Sequence, residues 1–87
     1  LSGLLRRTAS GRLDIVIKDR KRRSAVVIEA KVSSSVDRLP GSCEEALQQI
    51  SQKKYAEKIV ADGFKTVICY GIAFYKKECL VMLENNL

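Results

Sequence analysis

This chain of 87 residues has no histidine, no tryptophan and a single proline. Without histidine, neither a Ser-His-Asp nor a Cys-His nucleophilic arrangement can be assembled. The cysteines, Cys43, Cys69 and Cys79, are odd in number and far apart, with no C-x-x-C pair. Together with the missing histidine, this argues against a zinc site of the usual ligand sets. The three thiols read instead as reduced cysteines of a cytoplasmic protein. Neither G-x-G-x-x-G nor G-x-x-x-x-G-K-[ST] occurs, so a glycine-rich phosphate cradle is excluded. No apolar run approaches the roughly 18–20 residues of a membrane-spanning helix, and Leu1 to Leu5 is too short and interrupted for a signal peptide. Chemistry therefore has to come from carboxylates, lysine, tyrosine and glutamine.

What is present is ordinary for one small globular domain spanning residues 1–87. Apolar residues make up 46% of the chain and charged ones 30%, which separates it from disordered sequences. A chain of this length hides only about 60–65% of its surface on folding, so its core is thin. The chain opens on Leu1 without a Met and reads as part of a longer polypeptide. The formal net charge of +6 favours polyanionic partners, nucleic acid first. The densest cationic run is Arg20, Lys21, Arg22 and Arg23. It reads either as a solvated turn or as a phosphate-contacting loop whose affinity falls with salt.

Residues 12–18, R-L-D-I-V-I-K, and 25–32, A-V-V-I-E-A-K-V, are rich in β-branched residues and predict two strands joined by a turn over 19–24. Pro40-Gly41 breaks the loop that follows. A helix is predicted from Cys43 to about Ala61, with Ser42 as N-cap, Glu45 completing a capping box and Gly63 ending it. At about 100° per residue, Ala46, Gln49, Ile50, Lys53 and Val60 share one broad face, which mixes polar with apolar groups. Strands are predicted over 65–72 and 78–84, with a turn over Phe74 to Lys77. Strand, helix and strand in one sheet imply a right-handed parallel connection. The expected fold is thus α/β, a mixed sheet with the helix on one face.

With a turn near 19–24, Ile17 falls opposite Val26 and Asp14 opposite Glu29. Opposed residues of an antiparallel pair project from one face with Cβ atoms about 4.5–5.5 Å apart. Lys31, two residues beyond Glu29, shares that face. A one-residue slip would separate the three. Two carboxylates this close are stable only if one is protonated or a cation lies between them, and both sit in apolar strand sequence where a half-buried charge is costly. The bland account is an ion pair with Lys31. The functional account is a hard oxygen site for Mg²⁺ or Mn²⁺, made by Asp14, Glu29 and the backbone carbonyl of Ala30, with Lys31 holding the attacking water or a phosphate oxygen during phosphodiester hydrolysis.

The strings G-R-L-D-I-V-I-K and V-V-I-E-A-K resemble the D…(D/E)-x-K signature of the PD-(D/E)XK nuclease superfamily. The segment E-E-A-L-Q-Q-I-S-Q-K-K-Y-A is similar to the helix of its nuclease-like branch found behind AAA-type ATPase domains in bacterial proteins. The resemblance covers Gly11 to about Tyr75. It implies a restriction-endonuclease-like fold, metal-binding acids at Asp14 and Glu29, and a catalytic lysine at Lys31. It also implies that Gln49, Lys53 and Tyr55 support the site or touch nucleic acid, although Tyr55 falls on another side of the wheel. The superfamily's proline before the first acid is Leu13 here. A helix and usually a strand precede that acid in the family core, where this chain has only Leu1 to Ser10, so the sheet is expected to leave an edge open to a second copy. The implied partners are nucleic acid, DNA before RNA, an AAA-type ATPase domain in the same polypeptide, and a homodimer mate.

Three readings follow: a Mg²⁺-dependent nuclease, an inactive module of the same fold that binds nucleic acid or a partner domain, and an interaction domain in which Asp14 and Lys31 form a salt bridge. Fold likeness alone does not choose among them.

Overall fold

The computed structural model describes residues 2–7 and 12–85, with side chains from 13 to 84. Five strands form one sheet in the order of the chain: β1 (Ser2–Arg7), β2 (Arg12–Asp19), β3 (Ser24–Val32), β4 (Thr66–Tyr75) and β5 (Glu78–Asn85). Helices α1 (Leu39–Gln52) and α2 (Tyr55–Ala61) lie between β3 and β4. The β3–β4 pair is parallel and the other three pairs are antiparallel. The sheet is therefore mixed, and its parallel step is the one that carries the helical crossover, as chain geometry requires.

Strand alternation decides which side the helices cover. Ala25, Val27 and Glu29 of β3 are buried in step with Val67, Cys69, Gly71 and Ala73 of β4. The main core packs Val16, Ala25, Val27, Val67 and Cys69 against Ile50, Ile59 and Phe64. A second cluster joins Leu39 and Cys43 of α1 to Ala73, with Tyr75, Leu80 and Met82 around it. The other face carries Ile15, Ile17, Val26, Ile28, Ile68, Ile72, Val81 and Leu83, half-buried or exposed. Charge thus sits on the covered side of this sheet and apolar surface on its open side.

Gly71 sets how closely α1 approaches. It pairs with Glu29 across β3–β4, and a Cβ there would fall 2.6 Å from the Cys43 carbonyl oxygen and 2.9 Å from Leu47 Cγ. The missing side chain lets the helix backbone rest on the strand beside Glu29.

Four features depart from the sequence expectations. Ser2–Arg7 forms an edge strand, although S-G-L-L-R-R lacks the β-branched residues that mark one. Helix α1 begins at Leu39 with Pro40 in its first turn, a position where proline is tolerated because the N–H it lacks has no helical partner. Ser42 is consequently a buried residue inside the helix rather than its cap, and Arg38, which holds the N-cap position, makes no side-chain capping hydrogen bond. The helical segment is also broken, because Lys54 adopts a left-handed conformation (φ 57°, ψ 34°) between α1 and α2. Strand β4 extends through Tyr75, which shrinks the last turn to Lys76 and Lys77.

Candidate active site

The register of β2 and β3 places Asp14 directly opposite Glu29 and Ile17 opposite Val26. Both acids project under the helices and are nearly sealed from solvent, with exposures of 2% and 1%. Lys31 shares their face, but its ammonium is paired with Glu45 of α1. The expected Asp14–Lys31 salt bridge is replaced by this contact. Glu45, read from sequence as a capping-box residue, instead holds Lys31, because α1 starts several residues earlier than the box would require.

The lysine that meets the acids is Lys53. Its Nζ donates to Asp14 Oδ2 at 2.6 Å and to Glu29 Oε1 at 3.2 Å. The Tyr55 hydroxyl donates to Asp14 Oδ2 at 3.2 Å, and the Lys53 ammonium lies 5.9 Å from the centre of the Tyr55 ring. On a continuous helix these two side chains would point in well-separated directions. The left-handed Lys54 turns the chain between them, so both reach one carboxylate. Gln49, placed on the same wheel face as Lys53, instead has its amide on Gln52 at the helix surface, 3.4 Å away. Ala30 is buried on β3 between Glu29 and Lys31, its side chain on the opposite face of the sheet.

The electrostatics of the acid pair are lopsided. Burial raises the Glu29 carboxyl, neighbouring Asp14 adds to this, and Lys53 only partly opposes it, leaving the group pushed up to about 7. Burial also works against the charge of Asp14. The hydrogen bond shared with Glu29, together with Lys53 and Tyr55, outweighs it and keeps that carboxyl below its ordinary range. Desolvation disfavours the Lys53 ammonium, yet the two acids hold its pKa above the usual lysine value. Asp14 Oδ1 and Glu29 Oε2 are buried without a hydrogen-bond donor among the described residues. One ammonium faces two carboxylates, so the pair lacks one positive charge. A proton on Glu29 makes up the deficit, and so would a bound cation. In donor type and charge the two acids fit a hard divalent ion. Among the described residues no third acid, cysteine or histidine joins them.

The basic run lies elsewhere. Arg20, Lys21, Arg22 and Arg23 form the exposed β2–β3 turn, which begins about six residues along the chain from Asp14, or roughly 20 Å at about 3.3 Å per residue. Arg20 pairs with Asp62 at 3.2 Å and Arg22 with Asp19 at 2.9 Å. A cleft of about 430 Å³ between the helices and β4, lined in part by Leu47, Ile50, Val60 and Cys69, also excludes Asp14 and Glu29. Its charged lining residues are Glu57 and Glu84 rather than the acid pair.

A search of curated proteins and a search of solved structures each give no match. A family model does match, over residues 6–84, a span that holds both acids, Lys31, Lys53 and Tyr55. With opposed acids on a β-hairpin, an E-x-K strand and a mixed sheet of restriction-endonuclease-like α/β type, the chain belongs to the PD-(D/E)XK nuclease superfamily.

Proposed function

We propose that this chain is a divalent-cation-dependent nuclease that hydrolyses phosphodiester bonds, those of DNA before those of RNA. The observation that carries the reading is the pair of opposed, buried carboxylates, each with one oxygen that lacks a donor among the described residues. A strand pair under a helix gains nothing in stability from two such acids unless a positive charge completes them.

Asp14 and Glu29 would hold Mg²⁺ or Mn²⁺, with the Ala30 carbonyl and solvent or substrate oxygens filling the remaining positions. When bound, the ion supplies Lewis acidity at the phosphoryl group and lowers the pKa of a water. Tyr55 fixes the Asp14 carboxylate through its hydroxyl. Lys31 lies on the same face, and its ammonium would exchange Glu45 for the negative charge that develops on a phosphate oxygen. The exposed Arg20–Arg23 turn would ride on the backbone of the same nucleic acid. At about 3.4 Å per nucleotide step, its roughly 20 Å offset from the acids spans about six base pairs.

On this reading the partners are nucleic acid, an AAA-type ATPase domain in the same polypeptide, and a second copy paired at a sheet edge. The compartment is the cytoplasm, which suits an odd number of reduced cysteines.

A second reading has a specific observation behind it. Lys53 already neutralises part of the acid pair, as it would in an inactive module that binds nucleic acid through charge alone. Plasmid nicking and single-stranded RNA cleavage in Mg²⁺ or Mn²⁺ separate the two. Cleavage by the wild type that is lost in Asp14→Asn and in Lys31→Ala supports the nuclease. Equal inactivity of all three, with DNA binding retained, supports the module.

A further inference from the structure

Lys53 carries an inference that rests on the metal-site reading and deepens it. Asp14 and Glu29 are 2% and 1% exposed. The groups that contact them from the solvent side are the Lys53 ammonium, whose side chain is 30% exposed, and the Tyr55 hydroxyl. The ammonium touches an oxygen of each acid, at 2.6 and 3.2 Å, which is the seat a small cation shared by both would take. The oxygens that lack donors among the described residues are sealed from solvent.

A hydrated divalent ion approaching from solvent therefore meets a positive charge before it meets a ligand. Held by the same two carboxylates, the ion would lie only a few ångströms from the ammonium that already contacts an oxygen of each. A double and a single positive charge at that separation, in a partly desolvated site, repel strongly. The two cations exclude one another.

We infer that Lys53 is the resident counter-cation of this site: its ammonium holds Asp14 and Glu29 together in the metal-free protein and is displaced when a divalent ion binds. Lys53 is thus a positioning residue that competes with the ion, whereas a residue that only supports the metal-bound site would strengthen binding. Its tether suits the exchange. It is the C-cap of α1, one step past the last helical residue and next to the left-handed Lys54.

The test is calorimetric titration of the full chain with Mn²⁺ and with Mg²⁺, comparing wild type, Lys53→Met, Lys53→Arg and Asp14→Asn at one fixed pH. If the ammonium occupies the seat nine-tenths of the time, its removal tightens apparent ion affinity about tenfold. Lys53→Met should therefore bind more tightly than wild type while melting at a lower temperature in the absence of metal. Lys53→Arg should recover the melting temperature, and Asp14→Asn should lose binding. Weaker or equal affinity in a folded Lys53→Met overturns the displacement. Binding in neither wild type nor Lys53→Met overturns the metal site itself, and the displacement with it.

Acylation of wild-type Lys53, followed by mass spectrometry with and without saturating Mn²⁺, needs no substitution and serves if Lys53→Met fails to fold. Expelled into solvent, Lys53 is no longer held protonated by the two carboxylates, so its amine, after losing a proton to solvent, is acylated several-fold faster when the ion is bound. An unchanged or slower rate overturns the inference.

Discussion

At the tip of the β2–β3 hairpin, Arg20 meets Asp62 and Arg22 meets Asp19 in open solvent. Further back along β2, Lys53 meets Asp14 and Glu29 beneath a helix. The chemical groups are of the same kinds, yet their surroundings make them different objects. At the tip, water screens each pair and the long side chains lose entropy in holding it, so little stability results. Under the helix, both carboxylates are sealed from solvent, each charge depends on the others, and removal of one leaves the remainder stranded. Burial, rather than the number of ion pairs, is what sets the proposed site apart on this hairpin.

The sharpest way to break that contrast is Lys53→Ala. With both acids left buried and unpaired, urea denaturation should show a loss of about 3–5 kcal/mol. A change as small as that at the tip would mean that the acids find their own neutralisation.

A pH series sharpens the same point. Glu29 is raised from 4.5 to about 7 in the folded chain. Its protonated form therefore favours the folded state, and that contribution is complete below about 4.5 and lost as pH rises through about 7. The difference corresponds to about 3 kcal/mol between pH 5 and pH 8. Asp14 acts in the opposite direction, since its lowered pKa contributes stability above its ordinary value that disappears as pH falls. Wild-type stability should thus peak in mildly acidic solution, and Glu29→Gln should flatten the descent toward pH 8. Urea midpoints across the range that fall in parallel for both proteins would count against a shared proton.

Gly71→Ala tests the close approach that carries α1 over the acids. The added methyl meets the Cys43 carbonyl oxygen at 2.6 Å, and overpacking of this kind costs about 1–3 kcal/mol. The thermal midpoint should fall, and the raised pKa of Glu29 should relax as the helix lifts. The smallest effect is expected at the tip. Arg20→Ala should change stability by less than about 1 kcal/mol. If nucleic acid lies along this turn, replacing all four basic residues with alanine should flatten the salt dependence of DNA binding. The log–log slope should fall by about 0.9 for each phosphate that is no longer neutralised, as fluorescence anisotropy at several salt concentrations would show.

What the sequence made legible follows from geometry that has few alternatives. Once a short turn is placed after Asp19, pairing arithmetic puts Asp14 opposite Glu29, and alternation puts Lys31 on their face. Where Lys31 points was not legible, because its partner Glu45 comes from a helix whose start is disguised: Pro40 reads as a breaker but sits within the first turn. Tyr55 was hidden for a related reason. Lys53-Lys54 looks like uninterrupted helix, since lysine is a good helix former, and nothing in the side chain announces the left-handed backbone at Lys54. A wheel drawn through that point sends Tyr55 away from Asp14 and brings Gln49 toward it, the reverse of what the fold does. Strand β1 escaped because edge pairing, rather than intrinsic propensity, gives Ser2–Arg7 its extended form.

The left-handed residue between the two helices has a bearing on how much length variation this chain can absorb. Adding or deleting one residue there would swing everything after it by about 100°, carrying Tyr55 off its carboxylate while leaving each helix intact. The same edit in the exposed 20–23 turn, or at Lys76-Lys77, alters a solvated connection on the rim of the sheet. Insertion scanning of the chain should therefore find tolerance at the hairpin ends and intolerance at an elbow that no composition rule would mark.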